Sequence, residues 1–362
     1  MAKRGLTPPE RVLVRAVNWV GDAVMTLPAM DQLARACPGA AIDVLAKPWV
    51  AAVYRGHPAV RQVLTLESEG RHKGLMGRLR LARWLAGRGY DWAVLWQNAF
   101  DAALIAWLAG IPRRIGYARD GRRPLLTTAV PCPPAARAIH ETSYYLRMLA
   151  GAGLMDHLPP DEGVRPELRP RPEDLAWADG FIAGRGLGGR PLIGVAPGAA
   201  FGPAKCWPAA NFAAAAAALA GELGAGVLLF GSQGEAGATG RVAALLGQRP
   251  HADLAGATDL GQALALLARL RLLLTNDSGL MHAAAALGVA TVAVFGSTNP
   301  ATTAPLGPRV ALARKDVCPQ APCKKPVCPL GDPRCLSAVE PAEVVATARR
   351  LLAKPAAEQD HA

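Results

Sequence analysis

Asp277, Ser278 and His282 crowd into one short stretch, Leu274-Thr275-Asn276-Asp277-Ser278-Gly279-Leu280-Met281-His282. The apolar residues 270–274 before it predict a strand, and the Ala-rich residues 283–287 after it predict a helix. A strand-to-helix turn aims unpaired backbone N–H groups, and the positive end of the helix dipole, at one point where anions bind. A turn that only reverses the chain has no use for a carboxylate, a hydroxyl and an imidazole together. A lone histidine is more often a satisfied core residue. His282, one helical turn after Asp277-Ser278-Gly279, reads as part of the site.

A second loop has the same physics. Ala196-Pro197-Gly198-Ala199-Ala200-Phe201-Gly202-Pro203-Ala204-Lys205-Cys206-Trp207-Pro208 follows a predicted strand. Its small residues let backbone N–H groups approach a ligand, Lys205 offers a cation, and Pro208 suits the start of the helix that follows. This predicts phosphate binding without the P-loop pattern. The plainer reading is a Gly/Pro loop with a surface lysine. Two weaker segments complete the set. In Phe230-Gly231-Ser232-Gln233-Gly234-Glu235, the polar side chains of Ser232, Gln233 and Glu235 suit ribose hydroxyls or a base edge, though ordinary loops look the same. In Asn18-Trp19-Val20-Gly21-Asp22, Gly21 permits a tight turn and Asp22 falls in the first turn of a helix, where spacing alone favours a capping carboxylate.

All four segments need strands to carry them. The first half alternates strand-like residues 12–17, 42–46 and 91–96 with helical spacing over 21–36 and around 78–86. Residues 158–171 are Pro- and charge-rich, a linker composition. A second series follows: strands over 191–195, 226–230, 270–274 and 289–295, and helices over 211–223, 260–267 and 341–353. Such alternation predicts α/β architecture with parallel, doubly wound sheets. The expected division is an N-terminal domain over 1–157, the linker 158–171, a C-terminal domain over 172–340, and a helix and tail over 341–362. Ligands of such sheets bind beyond the strands' C-terminal ends, so a cleft between the two domains is expected.

At 362 residues the chain fits two domains, and its 51% apolar content is enough for two cores. No run approaches the ~20 apolar residues of a membrane span. The basic N-terminus, residues 1–9, has no apolar stretch behind it, so a cytosolic location is expected. The formal charge of +12 is lopsided. Residues 1–155 hold 21 Lys and Arg against 10 Asp and Glu, whereas the remainder holds 19 against 18. Arg71, Lys73, Arg78, Arg80, Arg83 and Arg88 form one cluster, and Arg113, Arg114, Arg119, Arg122 and Arg123 another. A polyanion or an anionic membrane face suits that half; an Arg-rich solvated surface is the bland alternative. Of seven cysteines, Cys37, Cys132 and Cys206 are scattered, and a cytosolic chain keeps such thiols reduced. Cys318, Cys323, Cys328 and Cys335 cluster among prolines and lysines. Four thiolates can bind zinc, but zinc ribbons use two-residue spacing. The default expectation is a reduced, loop-like cluster without metal.

The motifs Asn18-Trp19-Val20-Gly21-Asp22, Pro197-Gly198 through Lys205 with Trp207-Pro208, and Thr275 through His282 occur in one order. In that order the chain resembles the bacterial ADP-heptose:lipopolysaccharide heptosyltransferases over roughly residues 11–353, and is nearest in wording to the type II enzymes. The resemblance implies a GT-B fold of two Rossmann-like domains, with the acceptor on the first and the nucleotide sugar on the second. It puts the catalytic base on Asp22, the diphosphate-binding lysine on Lys205, and donor contacts on Asp277, Ser278, Gly279, Leu280 and His282. With the loop residues, the donor-binding candidates also include Gly198, Ala199, Ala200, Ser232, Gln233, Glu235 and Thr258. Acceptor-binding candidates are Asn18, Trp19, Arg78 and Arg119. The implied partners are ADP-heptose, a lipid A–core saccharide and the anionic inner face of the inner membrane, with no nucleic acid.

An inverting transfer needs a base on the incoming hydroxyl and stabilisation of the departing diphosphate, which Lys205 and aligned N–H groups supply. No metal is required where the protein provides that charge, and no cofactor is expected. The Cys cluster departs from the family minimum. Three alternatives stay open: a relative with another acceptor or nucleotide sugar, a dinucleotide-dependent oxidoreductase, and a nucleotide-sugar or glycolipid binding module without catalysis. The second lacks a Gly-x-Gly-x-x-Gly after the first strand.

Overall fold

A computed structural model describes residues 8–160 and 163–353. Residues 1–7 of the basic N-terminus, residues 161–162 of the expected linker and the tail 354–362 lie outside the described residues. The chain divides into two compact units between Arg169 and Pro170.

The first unit holds one parallel six-stranded sheet: β1 (Arg11–Arg15), β2 (Ala41–Ala46), β3 (Val60–Thr65), β4 (Trp92–Leu95), β5 (Arg113–Tyr117) and β6 (Thr128–Val130). Their spatial order is β3-β2-β1-β4-β5-β6. The second unit repeats the pattern with β7 (Leu192–Ala196), β8 (Gly226–Leu229), β9 (His251–Asp253), β10 (Leu272–Asn276), β11 (Ala290–Phe295) and β12 (Val310–Arg314). Its order is β12-β11-β10-β7-β8-β9. Both are doubly wound sheets of Rossmann order, and each has one switch point where the winding reverses: between β1 and β4, and between β7 and β10.

Helices cover both faces of a parallel sheet, so its central strands are apolar on both sides. β7, β10 and β11 are buried at every position. That is why their sequences read as unbroken apolar runs. β3, β5, β6, β9 and β12 escape the same reading. They are short or lie at sheet edges, and β5 opens on Arg113-Arg114. The predicted helix over 21–36 is two helices, Val20–Met25 and Leu27–Ala36, meeting at Thr26. Pro28 explains the break, since its ring would clash with the carbonyl four residues back. Thr26 fills the joint: its hydroxyl donates to Ala23 O at 2.6 Å and lies 2.9 Å from Tyr54 Oη. The anion-binding turn also shifts, because β10 continues to Asn276 and only Asp277-Ser278 remains as turn before the helix Gly279–Ala286.

Candidate active site

The second unit's switch point is fastened by one buried side chain. β7 and β10 run in register to Ala196 and Thr275, so Asn276 emerges beside Pro197. Its Nδ2 donates to Pro197 O at 2.7 Å and to Gly198 O at 3.3 Å, and its Oδ1 accepts from Trp207 N at 2.9 Å. Both ends of the loop 197–207 are thereby tied to β10. The loop's glycines are steric necessities. A Cβ on Gly198 would sit 2.5 Å from Glu235 Cδ, and one on Gly202, at φ 141°, would sit 2.4 Å from Pro326 O.

That fastening brings Lys205 to Asp277. The Lys205 Nζ donates to Asp277 Oδ2 at 2.6 Å, and Thr298 Oγ1, just beyond β11, donates to the same oxygen at 2.6 Å. The side chains of Lys205 and Asp277 are 16% and 6% exposed, so solvent screens the pair weakly. Lys205 also lies 5.1 Å from the Phe201 ring centroid. Ser278 is the N-cap residue of Gly279–Ala286, but its hydroxyl makes no capping bond and lies 3.2 Å from Thr275 Oγ1. Gly279 and Leu280 are half-buried in the first turn, and His282 is buried in the same helix.

The other donor candidates are placed differently. Ser232 N and Oγ both donate to Glu235 Oε2 at 2.8 Å, closing a capping box at the 3-10 turn Gln233–Glu235. These side chains, expected to bind ribose or base, satisfy one another here. Gln233 packs against Gly256. Thr258 is half-buried in the turn before the helix Leu260–Leu267, while Ala199 and Ala200 sit on the loop beside Gly198.

In the first unit a cavity of about 330 Å³ opens at the C-terminal ends of β1 and β4, lined in part by Asn18, Trp19, Asp22, Asn98, Arg119 and Tyr144. Trp19 is 60% exposed, and Asp22 lies in the first turn of Val20–Met25. Asn18 is fixed from two sides: Arg15 Nη2 donates to its Oδ1 at 3.2 Å, and Trp49 Nε1 to its carbonyl at 2.9 Å. Burial raises the Tyr54 and Tyr145 hydroxyls well above their usual range, and the negative charge of Asp22 adds to both.

Arg122 organises the opposite wall. Its Nε donates to Tyr117 O at 2.9 Å and its Nη2 to Asn98 Oδ1 at 2.7 Å, while Nη1 donates to Gln97 O. Burial pushes this guanidinium down to about 10. Asn98 Nδ2 in turn donates to Tyr144 Oη at 2.7 Å, which also accepts from Arg119 Nη1 at 3.3 Å. Arg78, expected at the acceptor, instead pairs with Asp101 and does not line the cavity. Its position on the helix Gly74–Ala86 directs it to the neighbouring helix Phe100–Leu108.

Sequence reasoning missed Asn98, Arg122, Tyr144 and Thr298, and treated Asn276 only as motif filling. Arg122 stood in a noted Arg cluster, but nothing local marks it as the buried member. Tyr144 and Thr298 follow no motif at all.

Cys318, Cys323, Cys328 and Cys335 do converge, lining one small space of about 10 Å³ in the second unit, and all four are free thiols. Burial, then the neighbouring thiols, raise Cys335 above its ordinary value. Among the described residues, no group of three or more His, Cys, Asp or Glu is arranged to hold a metal ion. The segment also buttresses the lysine loop. Ala204 N donates to Pro326 O at 3.0 Å, and Lys324 N to Ser297 O at 2.8 Å, next to Thr298.

The model of glycosyltransferase family 9 (heptosyltransferase) matches residues 78–332. Lipopolysaccharide heptosyltransferase 2 of Salmonella typhimurium is 34% identical over 84% of this chain and 88% of its own. The structure of the Escherichia coli ADP-heptose lipopolysaccharide heptosyltransferase II superposes with a TM-score of 0.81 at 30% identity, covering 94% of this chain and 98% of that one. A family 9 glycosyltransferase from Veillonella parvula superposes with a TM-score of 0.80 at 25% identity, covering 95% and 97%. The sheets are those of the GT-B fold class. With two switch-point sites of this kind and relatives matched over most of both chains, the chain belongs to glycosyltransferase family 9 and is a transferase.

Proposed function

We propose that this enzyme is an inverting glycosyltransferase that moves L-glycero-D-manno-heptose from ADP-heptose to the inner-core heptose of lipopolysaccharide. The observation that carries the reading is the Lys205 ammonium, held at the β7/β10 switch point beside the first turn of a helix, in a family 9 chain. That is where a departing diphosphate needs positive charge.

In the proposed step, Asp22 takes the proton from the acceptor hydroxyl. The hydroxyl oxygen attacks the anomeric carbon from the face opposite ADP, and the bond to the diphosphate oxygen breaks with its electron pair. Lys205 and the N–H groups after Ser278 meet that developing charge. Asp277 has a different role from the donor contact first expected. A carboxylate against a diphosphate is repulsive, so Asp277, with Thr298, orients the ammonium and leaves its remaining N–H donors for the phosphates. Asn18, Trp19 and Arg119 line the acceptor cavity, and Arg122 and Asn98 hold its far wall.

The acceptor is lipid-anchored, which places the enzyme on the cytoplasmic side, peripheral to the anionic inner membrane. The charge excess of the first unit suits that surface. No helix among the described residues is long and apolar enough to cross a membrane. The test is transfer from ADP-heptose to a mono-heptosylated core acceptor, within a panel of defined acceptors. ADP release no higher than in the acceptor-free control counts against the proposal.

A further inference from the structure

The helix Gly74–Ala86 buries Gly77, Leu81, Ala82 and Leu85, which is enough to dock it on the sheet. Its opposite side should then be polar, yet Leu75 and Met76 are 64% and 71% exposed and Trp84 is 41% exposed. These side chains alternate with cations. Met76, Arg80 and Trp84 follow one another at four-residue spacing, and so do Leu75, Leu79 and Arg83, so each set lies along one strip of the helix surface. The Arg88 guanidinium sits 4.0 Å from the Trp84 ring centroid. Residues 67–88 carry six Lys and Arg against Glu67 and Glu69, and Glu67 is paired to Arg71 at 3.1 Å. Among the described residues, no carboxylate forms an ion pair with Lys73, Arg80 or Arg83. The neighbouring helix Phe100–Leu108 also exposes Phe100 and Trp107.

We infer that the outer face of Gly74–Ala86 docks on an anionic phospholipid bilayer, an inference that rests on the proposed lipid-anchored acceptor. The chemistry commits to a membrane. Leu75, Met76 and Trp84 reach the boundary between headgroups and acyl chains, while Lys73, Arg80 and Arg83 meet lipid phosphates around them. A nucleic acid would match the cations and leave Leu75 and Met76 facing water.

Co-sedimentation with vesicles tests this. The full chain is expected to bind phosphatidylglycerol-containing vesicles and not phosphatidylcholine ones. At about 1 kcal/mol for each basic residue at the surface, Arg80→Gln with Arg83→Gln weakens partitioning roughly 30-fold. Leu75→Ser with Met76→Ser weakens the salt-resistant part of the binding. Both variants are expected to keep transfer to a water-soluble, deacylated acceptor within about twofold and to melt at the wild-type temperature, since only exposed side chains change. Undiminished vesicle binding by both variants overturns the inference. So does a wild-type chain indifferent to phosphatidylglycerol, or one that binds RNA in preference to vesicles at the same salt. Absence of transfer to the soluble acceptor by the wild type overturns the heptosyltransferase reading alone, because vesicle binding is read without turnover.

Discussion

Lys205→Met isolates the pair on which the proposed leaving-group stabilisation depends. At 2.6 Å, and with an effective dielectric constant near 20, the gross Coulomb attraction is about 6 kcal/mol. Desolvation of both ions removes much of that, so the net value of the pair is smaller. Deleting the ammonium is costlier than the net value suggests, because a carboxylate only 6% exposed then keeps, among the described residues, Thr298 alone as a side-chain partner. Breaking a buried pair this way costs about 3–5 kcal/mol. The partial exposure of Lys205 argues for the lower end. For a unit of this size, ~3 kcal/mol lowers the melting temperature by roughly 6–12 °C. Asp277→Asn in the same chain removes the stranded charge and should recover more than half of the loss, although it alters a second side chain of the site. Transfer behaves oppositely. Loss of a donor to the developing charge lowers kcat by about 10²–10³, and Asp277→Asn restores none of it. Scanning calorimetry and single-turnover transfer on the two variants separate these effects. If Lys205→Met melts with the wild type and binds ADP equally well, the ammonium neither holds Asp277 nor meets the diphosphate, and the argument fails.

Asp22→Asn should lower transfer by about 10²–10⁴ while ADP binding stays at the wild-type level by calorimetry; retained turnover would mean another base. Arg122→Met strands the carbonyls of Gln97 and Tyr117 and the Asn98 amide oxygen, so the first unit should lose about 3 kcal/mol and the acceptor KM should rise. Arg122→Lys recovers less than half of that stability in urea melts, because an ammonium cannot reproduce the guanidinium fork. For Asp43, burial raises the carboxyl, but hydrogen bonds from Arg61, Tyr90 and Gln62 outweigh it and hold the group below its ordinary value. Its stabilisation is therefore complete above about pH 4 and is lost as pH falls through the lower folded value. Acid unfolding of the first unit should lose part of its pH dependence in Asp43→Asn, and an unchanged acid limb would remove Asp43 from the account.

What could be read locally was read from the sequence itself. β7, β10 and β11 announce themselves because burial on both faces demands unbroken apolar runs. The loops after β7 and β10 are marked by their small and polar residues. Pro28 could have revealed the helix break. The edge strands could not be found this way, since half-exposed backbone places weak demands on side chains.

Tertiary structure decided which loops meet. Lys205 and Asp277 lie 72 residues apart, and only the pairing of β7 with β10 makes them neighbours. The same pairing turned Asn276 into the fastener of the lysine loop. Arg122 shows the limit most sharply. Its sequence neighbours Arg119 and Arg123 are chemically the same, yet Arg122 alone of the three is fully buried, because only its place beside β4 and β5 supplies a ring of acceptors. Composition specifies how many cations a chain has. Packing specifies which of them is desolvated, and desolvation is what gives a charge its role.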